Sequence, residues 1–157
     1  MKIVCVASEG VPFSKTGGLA DVAGALPRAL RRRGHLVSLF LPCHRSTWTA
    51  GPELVGTGLT LHVPVGADSL EAAVHESRLP GSDVPVYLID RPEFFDRDEL
   101  YQVQGKDYRD NCARFVFFDR AVLEAIPRLG LQPDLRARDP DAGPGLRSRR
   151  SSAGAPS

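Results

Sequence analysis

The sequence predicts an α/β fold: a parallel sheet with helices on both faces and an antiparallel strand insert. Three observations carry this. A strand–helix–strand unit occupies Lys2–Leu41, and short links at that spacing force the two strands to run parallel. A third apolar strand at Val84–Ile89 precedes a long helical pattern, Asp107–Ile126. Between them, Glu53–Leu79 alternates apolar and polar residues instead of running continuously apolar, as a half-exposed antiparallel pair does.

The elements follow in order. Lys2–Ala7 is apolar nearly throughout and is closed by Ser8-Glu9-Gly10, the pattern of a strand buried on both faces. Leu19–Arg33 is an amphipathic helix whose apolar face is read as Leu19, Val22, Ala23, Leu26 and Leu30, with a kink at Pro27. Arg31-Arg32-Arg33 falls in its last turn, where cations suit the helix dipole, and Gly34 supplies the C-cap. Leu36–Leu41 is the second strand. In the insert, Leu59, Leu61, Val63 and Val65 alternate on one strand and Ala73, His75 and Ser77 on its partner, around a Gly66-Ala67-Asp68-Ser69 turn. Cys112, Phe115, Phe118, Val122 and Ile126 mark the core side of the last helix, which Pro127 and Gly130 end. From Leu135 to Ser157 the chain holds five Arg, four Ala, four Ser, three Gly and three Pro, with two Leu as its only large apolar residues. Such a segment buries too little apolar surface to offset its ordering entropy. The domain is therefore expected at 1–134 and an unstructured, out-of-frame or truncated tail at 135–157, the missing final strand leaving an apolar sheet edge exposed.

Composition narrows function. The 157 residues are 42% hydrophobic and 25% charged, with net charge +1, so the balance asks for neither nucleic acid nor a membrane surface. The first strand is too short for a membrane helix or a secretory signal. Cys5, Cys43 and Cys112 are widely spaced and odd in number, which points to reduced thiols in the cytoplasm rather than disulfides or a metal site. Cys5 and Cys112 lie in apolar segments and are expected in the core. His35, His44, His62 and His75 have no metal-ligand spacing, so no metal and no cofactor is expected.

The chemistry concentrates in Lys15-Thr16-Gly17-Gly18-Leu19-Ala20-Asp21-Val22, where the first strand passes through a loop into the first helix. Free amides of a helical first turn and the helix dipole favour an anion there, and paired glycines let a ligand come close to the backbone. Lys15 adds a positive charge; it is one of three lysines in a chain with 17 arginines.

This octapeptide, after Ala7-Ser8-Glu9-Gly10-Val11-Pro12-Phe13, resembles the N-terminus of bacterial glycogen synthases and plant starch synthases. So do Gly24-Ala25-Leu26-Pro27, Gly34-His35, Tyr87–Arg97, and Asp107-Tyr108-Arg109-Asp110-Asn111 with Arg114-Phe115. The resemblance covers Met1 to about Asp134 and implies the N-terminal, Rossmann-like half of a two-domain (GT-B) retaining glycosyltransferase. It further implies transfer of glucose from ADP-glucose to the non-reducing end of an α-1,4-glucan. Lys15, Gly17 and Gly18 would face the diphosphate and glucose, Asp21 would fix the loop or the sugar, and Glu9 would brace the loop. Tyr101 matches a tyrosine near donor or acceptor, although Gln102 stands where members commonly carry Gly. Asp110 and Asn111 match a family pair that serves the site or only positions its helix. The family's His-Asp-Trp segment and second domain are not matched, so no catalytic residue is assigned and this chain alone is expected to be inactive. The alternatives are a non-catalytic remnant and a small anion- or partner-binding module; oligomeric state is left open.

Overall fold

The computed structural model describes residues 1–50 and 52–138. Its six-stranded sheet comprises β1 (Lys2–Val6), β2 (Leu36–Pro42), β3 (Val55–Val65), β4 (Asp68–Arg78), β5 (Pro85–Asp90) and a last strand, Leu135–Arg138. A separate short hairpin pairs β6 (Gln102–Val103) with β7 (Lys106–Asp107), so the last strand is β8. The helices are α1 (Gly18–Arg32), α2 (Arg45–Thr49), α3 (Pro92–Phe95) and α4 (Asn111–Arg128). Strand order is β3-β4-β5-β2-β1-β8; β5, β2, β1 and β8 run parallel, and β3 and β4 extend the sheet antiparallel.

The central strands feed two cores. On one face Val4, Phe40, Tyr87 and Ile89 pack with Phe117, Phe118, Ala121, Val122 and Ala125 of α4. On the other, Ile3, Cys5, Leu39, Leu41, Val86 and Leu88 pack with Phe13 and Ala23 of α1. Alternate residues of each strand thus point to opposite cores, which is why these strands are apolar over most of their length, Ser38 being the polar residue inside β2. The hairpin β3–β4 buries Leu61, Val63, Ala72 and Val74 on its α4 face, and Ser77 is buried on the other.

Several details depart from the sequence reading. Helix α1 meets the sheet through Ala20, Ala23, Gly24 and Pro27, while Val22 and Leu26 are 58% and 42% exposed. Small residues bring α1 close: a Cβ on Gly24 would lie 2.6 Å from Val11 Cγ2. Val22 and Leu26 are thereby turned out, while Ala23 and Leu30 of the expected face do pack against the core. In β4 the residues facing the α4 core are Leu70, Ala72 and Val74, so the expected set Ala73, His75 and Ser77 lies on the other face. Helix α4 begins at Asn111, because Lys106-Asp107 is taken by the β6–β7 hairpin, and Pro127 lies inside it. Its buried side adds Phe117, Ala121 and Ala125, while Cys112 is exposed. Both long helices stop in the same way. Gly34 (φ 88°) and Gly130 (φ 71°) follow the caps, with His35 N–H donating to Leu30 C=O and Leu131 N–H to Ile126 C=O.

The expected start of an unstructured tail at Leu135 also moves. Leu135–Arg138 pairs with Ile3–Val6 as β8, so the edge beside β1 is filled. Asp134 starts the strand: its N–H donates to Lys2 C=O (2.8 Å) and its carboxylate accepts from Lys2 N–H (2.9 Å). Composition over 23 residues hid this, because backbone pairing with an existing strand needs little apolar area from the newcomer. The remainder of the expected tail, 139–157, lies outside the described residues.

Candidate functional site

The sheet topology locates the site. From β1 the chain proceeds to β2 and β5 on one side and later returns to β8 on the other. Strand order therefore reverses beside β1, and open α/β sheets bind ligands at the carboxyl ends of strands at such a point. The segment leaving that end of β1 is Ala7–Gly17, followed at once by α1.

The loop is built from its own backbone and one buried carboxylate. Gly10 and Ser14 form a bridge, with Phe13 N–H and Ser14 N–H both donating to Gly10 C=O (2.9 and 3.0 Å). Phe13 is fully buried beneath it. Glu9 is also buried, and its Oε2 accepts from Thr16 N–H (2.6 Å) and Thr16 Oγ1 (2.8 Å). Glu9 thus holds the loop at the residue immediately before the first glycine of the pair. Lys15 projects outward, with Nζ 2.9 Å from each carboxylate oxygen of Asp21, and the two side chains are 52% and 57% exposed.

Gly17 is the N-cap of α1 and no side chain caps the helix, so the first-turn amides face outward without a protein side-chain partner. A Cβ on either Gly17 or Gly18 would meet nothing within 4 Å. Packing within the chain therefore does not demand glycine at these positions, and the ground above them is open.

Tyr101 reaches the same edge from the other side. Its hydroxyl lies 2.8 Å from Ser8 Oγ, and its ring packs on Phe115. Asn111 at the start of α4 donates from Nδ2 to Tyr101 C=O (2.8 Å). Its Oδ1 accepts from Arg114 (2.7 Å), whose guanidinium also donates to Phe94 C=O (2.7 Å) and Leu100 C=O (3.0 Å). Asp110 pairs instead with Arg97, which holds its carboxyl below the ordinary range. The structure therefore brings Lys15, Gly17, Gly18 and Asp21 together in one loop and ties Tyr101 to the root of that loop.

Two residues beneath the site escaped the sequence reading. Arg114 is completely buried among the rings of Phe95, Tyr108 and Phe115. Burial, with help from the nearby Arg97 charge, lowers its pKa. His44, just past β2, donates from Nε2 to Ser8 C=O (3.0 Å) and stands edge-on to Phe95. Burial lowers its pKa to about 4 against that hydrogen bond, with Arg114 adding repulsion. Neither carries a local signal, since both are polar residues whose burial comes from distant segments.

Among the described residues no three His, Cys, Asp or Glu side chains gather as a metal site would require, and no helix is long and apolar enough to cross a membrane.

Known proteins are similar to this chain in sequence and in fold. The chain is 45% identical over 138 residues to a glycogen synthase of Syntrophotalea carbinolica, covering 86% of this chain and 28% of that protein. It is 45% identical over 145 residues to a glycogen synthase of Elusimicrobium minutum, covering 91% and 30%. In structure it is similar to the catalytic domain of starch synthase IV from Arabidopsis thaliana bound to ADP and acarbose. That match has a TM-score of 0.72 at 29% identity and covers 87% of this chain and 27% of the other. The chain thus spans under a third of the length of these relatives. The sequence profile of the starch synthase catalytic domain matches residues 2–137, and the chain belongs to that family.

Proposed function

We propose that this chain supplies one wall of the donor site of a retaining glucosyltransferase that moves glucose from ADP-glucose to the end of an α-1,4-glucan. The observation that carries this reading is the Lys15–Asp21 loop. It combines an uncapped helix N-terminus, two glycines that open space and no packing requires, and a lysine poised above them, at the topological switch point.

In glucosyl transfer the bond from the sugar's anomeric carbon to the diphosphate breaks, and negative charge grows on the leaving diphosphate. A lysine and first-turn amides stabilise that charge without a metal. Lys15 rests against Asp21, in an ion pair exposed enough to exchange partners at little cost. When a diphosphate arrives, Lys15 turns to it, and the Asp21 carboxylate is freed to accept from sugar hydroxyls. Glu9 keeps the backbone in place through the exchange, and Tyr101 closes the edge of the site beside Ser8. The unpaired Cys5, Cys43 and Cys112 support a reducing, cytoplasmic setting.

Equilibrium dialysis with labelled ADP-glucose tests the assignment. The chain should retain the label weakly, less so as salt rises because the contact is exposed, and Lys15→Ala should remove the retention. Retention equal in the wild type and Lys15→Ala would defeat the proposal.

A further inference from the structure

A second set of residues on the same sheet edge is arranged to receive a ligand. Trp48, the chain's single tryptophan, sits on α2 and is 54% exposed. A single exposed ring is ordinary on a protein surface; its neighbours are what distinguish this one. It is not loose. The His75 imidazole stands 5.2 Å from it at 78°, and His75 Nε2 is 2.9 Å from Asp90 Oδ2 at the carboxyl end of β5. Both supporting side chains keep a little solvent access, 18% and 17%. Next to His75 across the hairpin is Gly56, where a Cβ would meet nothing within 4 Å, so the ground beside the imidazole is open. Finally, α2 is joined to the donor loop, since Ser46 Oγ donates to Phe13 C=O (3.2 Å).

We infer that Trp48, backed by the His75–Asp90 pair and bordered by Gly56, is a platform for an α-linked glucan chain running past the donor loop. An indole surface stacks on the C–H face of a pyranose ring, burying apolar area on a ligand that is otherwise polar. A carboxylate and an imidazole beside the ring offer an acceptor and a second polar group to the hydroxyls around that sugar's rim. Arg45, three residues before Trp48 on α2, is already paired with Asp96 and Asp98, which suits a neutral ligand rather than a phosphate. The inference rests on the glucosyltransferase reading for its choice of ligand, and it adds a contact that the Lys15 loop does not supply.

Because Trp48 is the sole tryptophan, its emission reports on the platform directly. Titration with maltoheptaose should give a saturable emission change in the wild-type chain, while ADP-glucose should leave Trp48 emission nearly unchanged. In native gels containing glycogen, Trp48→Ala should weaken retardation roughly tenfold, Trp48→Tyr should restore most of it, and Asp90→Asn should fall between. Circular dichroism of each variant verifies that it is folded. Emission indifferent to maltoheptaose, or retardation unaltered in folded Trp48→Ala, would overturn the inference. So would an emission change that follows protein concentration rather than glucan, which would mark a surface for a second copy. Loss of maltoheptaose binding with ADP-glucose retention intact would sink this inference alone, whereas the converse would sink the donor-site assignment and leave the platform standing.

Discussion

Lys15 and His44 show how two positive-capable side chains in one site take opposite roles. Lys15 is exposed and paired only with an equally exposed Asp21, so Lys15→Ala should change stability by no more than about 1 kcal/mol while removing ADP-glucose retention. Urea titration beside the dialysis measurement checks both halves. His44 is buried and neutral, with its folded pKa lowered to about 4 from 6.5. The unfolded chain then binds the extra proton first, so stability rises with pH across this window. The contribution is complete above about pH 6.5 and is lost as pH falls towards 4, a change on the order of 3 kcal/mol. The difference in denaturant midpoint between wild type and His44→Gln should therefore narrow as pH falls through that range. A constant difference would show that His44 is not held neutral. His44 was legible in the sequence only as an isolated histidine, because its burial comes from Ser8, Phe95 and Arg114, which are distant along the chain.

At the scale of elements, strands were read best and helix faces worst. Strands β1, β2 and β5 sit between two cores, so nearly every interior residue is apolar and the pattern leaves little phase to mistake. Helix α1 misleads because large apolar residues draw the eye, whereas Ala20, Ala23, Gly24 and Pro27 make the contact. This gives a sharp contrast. Val22→Lys and Leu26→Lys should each change stability within about 0.5 kcal/mol, while Gly24→Ala should cost about 1–3 kcal/mol by pressing on Val11. Chemical denaturation of the three variants checks it, and a costly Leu26→Lys would restore the face expected from sequence. Strand β4 was misread by one residue for the reason that makes register strict: a shift of one exchanges the two faces. Ser77 is buried on the face away from α4, so its polarity gave no help. The Lys15–Asp21 loop was legible because its signals are local: glycines, a lysine and a strand-to-helix junction. The Arg114–Asn111 brace of Tyr101 was not, since it links α4 to carbonyls ten or more residues earlier. Asn111→Ala should accordingly cost about 1–2 kcal/mol in denaturant stability through the unpaired buried partners it leaves.

For the whole molecule, the governing fact is that the Lys15–Asp21 segment follows the carboxyl end of β1 and that the chain spans under a third of its relatives' length. Transfer requires donor and acceptor to be held together in a site from which water is excluded. An exposed lysine and a helix N-terminus bind a diphosphate but leave it solvated. The 157-residue chain should therefore incorporate no measurable label from ADP-glucose into glycogen. Incorporation abolished by Lys15→Ala would mean that one wall suffices. The central claim, that the Lys15–Asp21 loop is the donor-binding element, is tested most directly by amide chemical-shift mapping of the 15N-labelled chain with ADP-glucose. The account predicts that the largest shifts fall on Gly17, Gly18, Leu19 and Ala20 and vanish in Lys15→Ala. Shifts concentrated at the opposite end of the strands, around Arg31 and Asp83, would contradict it.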